Sequence, residues 1–122
     1  MRLNKGFTLI ELLVVVALVG ILSAIGVYAF TGFISSTKQK QAETTMNTIY
    51  LAEMEYKSNN NVYYFSSNKN AIVRELFDGV DEFQDQEYQY SIRSISDGFC
   101  IRASKSGATT LYLNHQKKKY RV

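Results

Sequence analysis

Hydrophobic residues are concentrated at one end of this chain. From Phe7 to Phe33 they form an almost continuous run, FTLIELLVVVALVGILSAIGVYAFTGF, and the 26 residues from Leu12 to Thr37 carry no charge. At about 1.5 Å per helical residue, this run exceeds the roughly 30 Å hydrocarbon core of a bilayer and can cross one as a helix. From Ser35 the pattern becomes amphipathic. Ala42, Met46, Ile49, Tyr50 and Met54 recur at three- and four-residue spacing, with Lys40, Glu43, Glu53 and Lys57 off that stripe. A single helix of about 75 Å is expected from Thr8 to about Lys57. Asn59, Asn60 and Asn61 stop it, because asparagine competes for backbone hydrogen bonds and tolerates the left-handed conformation.

Beyond the asparagines the period shortens. Val62 to Phe65 is an aromatic run, and Asn70 followed by Ala71, Ile72, Val73, Leu76 and Phe77 reads as a capped short helix ending at Gly79. Alternation then predicts strands over Glu87 to Ile95, Gly98 to Ser104 and Thr109 to Leu113, with Asp97 and Gly98 as a hairpin turn and Gly107 as a second. Tyr90, Ile92, Phe99, Ile101, Ala103, Leu111 and Leu113 can share one face, which would pack on the Met46 side of the long helix. The fold class is α+β, a long N-terminal helix against an antiparallel sheet of three or four strands.

Glu11 is the anomaly in the apolar run. A charge at the bilayer centre costs roughly 2.5–3.5 kcal/mol, so an ionisable residue there needs a partner, and no charged neighbour in the run can neutralise it. The string Lys5, Gly6, Phe7, Thr8, Leu9, Ile10, Glu11 closely resembles the processing site of type IV prepilins and pseudopilins. The resemblance extends over roughly the first 60 residues. It implies cleavage between Gly6 and Phe7 by a prepilin peptidase, N-methylation of Phe7, and pairing of Glu11 with the new amine of a neighbouring subunit. Physical logic agrees, since an ammonium and a carboxylate neutralise each other in an apolar core only where subunits are correctly staggered. The domains implied are a leader over 1–6, a transmembrane and filament-core helix half over 7–34, and a pilin-like globular domain over 35–122.

What the resemblance implies for function is a structural subunit of a type IV pilus-like filament, major or minor, serving adhesion, twitching motility or DNA uptake. A pseudopilin of a type II secretion system shares the motif, and a monomeric membrane-anchored binding module is the alternative of another class. Its partners would be other pilins, the prepilin peptidase, the inner-membrane assembly platform and, before assembly, the membrane itself. Arg2 and Lys5 ahead of the run orient the N-terminus to the cytoplasm, with the domain outside the inner membrane, then in an extracellular pilus or periplasmic pseudopilus. Two plainer readings of the same stretch are a secretory signal cut near Ser23, Ala24 and Gly26, and a signal anchor with a stray glutamate. The family's usual anchor proline is absent: Tyr28 stands at the apparent equivalent, and the chain has no proline. Gly20 and Gly26, and more weakly Gly32, become the places where the helix would loosen on packing, each costing about 1 kcal/mol of propensity.

Charge and composition narrow the remaining chemistry. Net charge is +3, and without Arg2 and Lys5 there are 12 basic against 11 acidic side chains, so no global nucleic-acid field follows. Cys100 is the single cysteine and reads as a partly buried strand thiol with no intramolecular disulfide. One histidine, His115, reads as an exposed turn residue. With no phosphate-cradling loop or metal-spaced cluster, the chain is read as no enzyme and as needing no cofactor. Asp78, Asp81, Glu82, Asp85 and Glu87 read as a solvated acidic loop, with calcium as the alternative at Asp78, Asp81, Glu82 and Asp85. Lys117, Lys118, Lys119 and Arg121 read as an edge strand whose lysines discourage pairing, with DNA binding as the alternative.

Overall fold

The computed structural model of the chain describes residues 5–83 and 87–121, Tyr120 and Arg121 by backbone alone. Helix α1 spans Leu9–Asn60, three residues beyond the expected end. Asn61 ends it as anticipated, adopting a left-handed φ of 62° and donating its N–H to the Lys57 carbonyl at 2.7 Å.

The chain divides into two compact units, 1–37 and 38–122. In the first, the large apolar side chains from Phe7 to Phe33 are exposed, Leu9 by 78% and Leu22 by 69%. Within this unit Ser23 donates its hydroxyl to the Val19 carbonyl at 2.7 Å, Thr31 to Tyr28 at 2.8 Å and Thr37 to Phe33 at 2.9 Å. Such back-bonding suits a helix that meets hydrocarbon, where unsatisfied polar groups are costly. This stretch is long and apolar enough to cross a membrane.

In the second unit the remainder of α1, helix α2 (Lys69–Leu76) and a four-stranded antiparallel meander enclose one core. The strands are β1 Gln89–Ile95, β2 Gly98–Ser104, β3 Leu111–Asn114 and β4 Lys119–Arg121, in that spatial order. All seven residues expected on the inner face are buried, and they meet Ala42, Met46 and Ile49 of α1 with Ile72 and Val73 of α2. Phe99 is the centre of the aromatic packing, with ring centroids 5.8 Å from Tyr50 and 4.9 Å from Tyr63.

Four local expectations are corrected. The cap of α2 is Asn68, whose side chain accepts the Asn70 N–H at 2.9 Å, because Lys69 already begins the helix. The β1–β2 turn is Ser96–Asp97, since Gly98 already pairs with Ile95 in the ladder. β3 begins at Leu111 because 105–110 form the Gly107 turn (φ 76°), where Ala108 donates to the Lys105 carbonyl. Glu53, placed off the apolar stripe, is 0% exposed and lies within the core.

Gly98 is required for a different reason from turn geometry. A Cβ there would stand 2.6 Å from Cγ and 3.1 Å from Cβ of His115. His115 is therefore not an exposed turn residue. It is half-buried, its N–H donates to the Phe99 carbonyl at 3.0 Å, and its carbonyl accepts the Tyr50 hydroxyl at 3.1 Å. Gly98→Ala is expected to destabilise the domain by about 1–3 kcal/mol, the usual effect of overpacking, read as a lower midpoint in a thermal circular-dichroism melt. In a His115→Ala background the same substitution should be nearly neutral. Equal losses in both backgrounds would show that contact with the imidazole is not the cause.

Candidate assembly site at the start of the long helix

Lys5 to Thr8 precede the helix without regular structure, and Phe7 is 92% exposed. A Cβ added at Gly6 would meet nothing within 4 Å. At the helix start, the Thr8 N–H donates to Oε2 of Glu11 at 2.9 Å, while the Glu11 N–H donates to Oγ1 of Thr8 at 3.2 Å. This is a reciprocal capping box, which satisfies two N–H groups that the first turn leaves without helical partners.

The expectation concerned a charged neighbour; what the structure adds for Glu11 is an uncharged one, the Thr8 N–H. Its carboxylate has a local partner, and it stands in the first turn, where the helix dipole favours negative charge. The signal was present in the order Thr8, Leu9, Ile10, Glu11, which has the spacing of a capping box. A carboxylate offers about four lone-pair positions, so accepting one N–H leaves capacity for a further donor such as an ammonium.

The acidic segment is not a uniform solvated loop. Asp78, Asp81 and Glu82 are exposed, and Oδ1 of Asp81 accepts the Phe83 N–H at 3.0 Å. Asp85 lies outside the described residues. Among the described residues, no three of His, Cys, Asp or Glu gather in a way that could hold a metal ion. Glu87 is paired within its own chain, with Lys38 of α1 and Lys105 after β2, and these two ammonium groups hold its carboxyl down at about 2.

The basic tail is a hairpin rather than a free arm. Oδ1 of Asn114 accepts the N–H groups of Gln116 at 3.0 Å and Lys118 at 2.8 Å, and Lys117 takes a left-handed φ of 59° in the turn. Lys119 lies 3.6 Å from Glu43 of α1, and the Lys117 ammonium stands 5.3 Å from the Tyr50 ring centroid. Arg121 lies in β4, paired with Leu111. The structure thus divides the four cations of the tail among a turn, an ion pair and an edge strand. Cys100 is a free, half-buried thiol whose pKa burial pushes up, against the lowering effect of Arg93.

Residues 1–27 match a family model described as the prokaryotic N-terminal methylation motif. The type IV major pilin protein PilA of Myxococcus xanthus is 43% identical over 60 residues, 49% of this chain and 27% of that protein. The fimbrial protein EcpC of Eikenella corrodens is 36% identical over 62 residues, 51% of this chain and 40% of that protein. A fimbrial protein of Neisseria meningitidis is 37% identical over 65 residues, 48% of this chain and 38% of that protein. The chain therefore spans less than half the length of these relatives. No solved structure shows a significant match.

Proposed function

We propose that this chain, whose first half is similar to type IV pilins and fimbrial proteins, is a structural, non-enzymatic subunit of a type IV pilus-like filament. It is inserted in the inner membrane with its N-terminus cytoplasmic, cut between Gly6 and Phe7 by a prepilin peptidase, and N-methylated on Phe7. An inner-membrane assembly platform then brings subunits together through the 7–34 helix half, Glu11 pairing with the Phe7 amine of a neighbouring copy, while the 35–122 domain lies outside. The observation that carries this reading is a helix whose apolar side chains are exposed along its first half, with that half's single carboxylate, Glu11, in the first turn. Burial in a bilayer before assembly, and against other copies afterwards, removes that surface from water. The relatives' names, pilin and fimbrial protein, favour a pilus over a secretion pseudopilus.

Cleavage leaves the capping box intact, because Thr8 keeps its N–H and hydroxyl when Phe7 becomes the terminal residue. The uncovered helix would therefore present a formed first turn and a fresh ammonium one residue ahead of it. Gly20 and Gly26, which have no heavy atom within 4 Å of an added Cβ, would be where it yields on packing.

N-terminal mass analysis of the native product tests the reading: a methylated Phe7 terminus is expected, and an intact Met1 or a cut near Gly26 would overturn it. Gly6→Val is expected to block processing, since a β-branched side chain obstructs close approach of the peptidase to the backbone. The variant should remain as full-length precursor in the inner membrane on an immunoblot. Normal maturation would place the cut elsewhere.

A further inference from the structure

Glu53 takes no part in the assembly site. It lies on α1 inside the globular unit, 0% exposed, and its two oxygens differ. Oε2 accepts the backbone N–H of Tyr64 at 3.1 Å, whereas Oε1 is buried with no hydrogen-bond partner. Tyr64 belongs to the segment that leaves α1 at Asn61. Further along, Ser66 exchanges two backbone hydrogen bonds with Ile92 of β1, at 3.1 and 2.7 Å. The Tyr64 ring packs on Tyr56 of α1 at 5.7 Å, and Tyr63 packs on Phe99. The bond to Glu53 is thus the polar tie between α1 and the middle of this segment.

We propose that Glu53 is a proton-operated latch: neutral, it holds the 61–66 segment against α1, and ionised, it lets that segment open to water. A neutral carboxyl keeps an oxygen for the Tyr64 N–H at little desolvation cost. An ionised one buried without a counter-charge is strongly disfavoured, and exposing it to water relieves the penalty.

Several charged and titratable groups on α1, α2 and the β3–β4 turn are engaged elsewhere. The Lys57 ammonium stands 4.3 Å from the Tyr63 ring centroid, the Lys117 ammonium over Tyr50, and the Tyr50 hydroxyl on the His115 carbonyl. On α2, Arg74 pairs with Glu75 at 3.3 Å. Burial holds the Glu53 carboxyl up at about 7, with the Tyr64 bond acting in the opposite sense. Because this lies above the ordinary 4.5, the latch is fully closed below about 4.5 and loses its hold as pH rises through about 7.

Amide hydrogen exchange on the full chain in detergent micelles tests the latch, with protection corrected for intrinsic rates. Between about pH 5 and about pH 8.5, protection of Tyr64 and its neighbours should fall roughly ten- to a hundredfold in the wild type. In Glu53→Gln, which stays neutral and keeps an acceptor, it should hold constant. Every other titratable group is present in both proteins, so the comparison removes its contribution. Equal pH responses in the two proteins, or none in the wild type, would overturn the latch. If Glu53→Gln does not fold, carbon NMR of the wild-type glutamate carboxyls decides instead: a near-neutral midpoint for Glu53 is expected, and titration in the ordinary carboxylate range would overturn the proposal.

Discussion

Glu11→Val is expected to yield a membrane-bound, processed subunit that fails to enter fibres. The substitution removes the only carboxylate from the apolar run, so insertion into the bilayer becomes easier. The cut site at Gly6 and Phe7 is untouched. Assembly is what suffers: without Glu11, an ammonium from the neighbouring subunit would be buried unpaired, at a cost of about 3–5 kcal/mol per contact. At 1.4 kcal/mol per tenfold, that is at least about a hundredfold in the association equilibrium, enough to empty the fibre fraction in a shearing assay. Axial register would be lost as well, since no other charged side chain in the run from Phe7 to Thr37 distinguishes one stagger of these apolar helices from another.

The capping box supplies the control that separates two roles of the same side chain. Valine also abolishes the bond from the Thr8 N–H, which costs the helix start about 0.5–2 kcal/mol. Glu11→Gln retains an oxygen for that bond, because glutamine serves at this position of a capping box, but carries no charge. Both variants should therefore lose fibres, while Thr8→Ala, which weakens the cap and leaves the charge, should lose far fewer. Wild-type fibre levels with Glu11→Gln would show that Glu11 acts through the helix start and not through charge pairing.

Phe99→Ala should cause the largest loss of stability. The ring is 0% exposed and touches α1 through Tyr50, the 61–66 segment through Tyr63, and the β3–β4 turn through His115, at 6.4 Å between centroids. Truncating a buried phenylalanine costs about 3–5 kcal/mol, a large part of the roughly 5–15 kcal/mol that holds a domain together. For a domain near 100 residues this lowers the melting temperature by about 15 °C or more, measurable on the full chain in detergent by circular dichroism. A shift of only a few degrees would mean that the core is centred elsewhere.

The sequence by itself determined the elements whose pattern is local. A run of 26 uncharged residues, a stripe at three- and four-residue spacing and three alternating segments each report one periodicity, and periodicity needs no knowledge of the rest of the chain. The helix, the inner face of the sheet and the asparagine stop follow from it. The capping box was equally local, legible in the spacing of Thr8 and Glu11.

Only the tertiary structure decided which polar groups meet. Glu53 follows Ile49 by four residues and so belongs geometrically to the buried stripe. Its charge argued for solvent, and a backbone N–H eleven residues away made burial possible. Lys38 finds Glu87 across 49 residues, which turns part of an apparently solvated acidic loop into an ion-paired corner. Gly98 looked like half of a turn, and is glycine because the His115 ring occupies the space of its side chain. The basic tail reads as an edge strand from sequence, and β4 is one; what the structure adds is its partner, because Asn114 folds the tail back onto β3. These pairings depend on distances between elements that meet only when the core closes, and no local period carries that information.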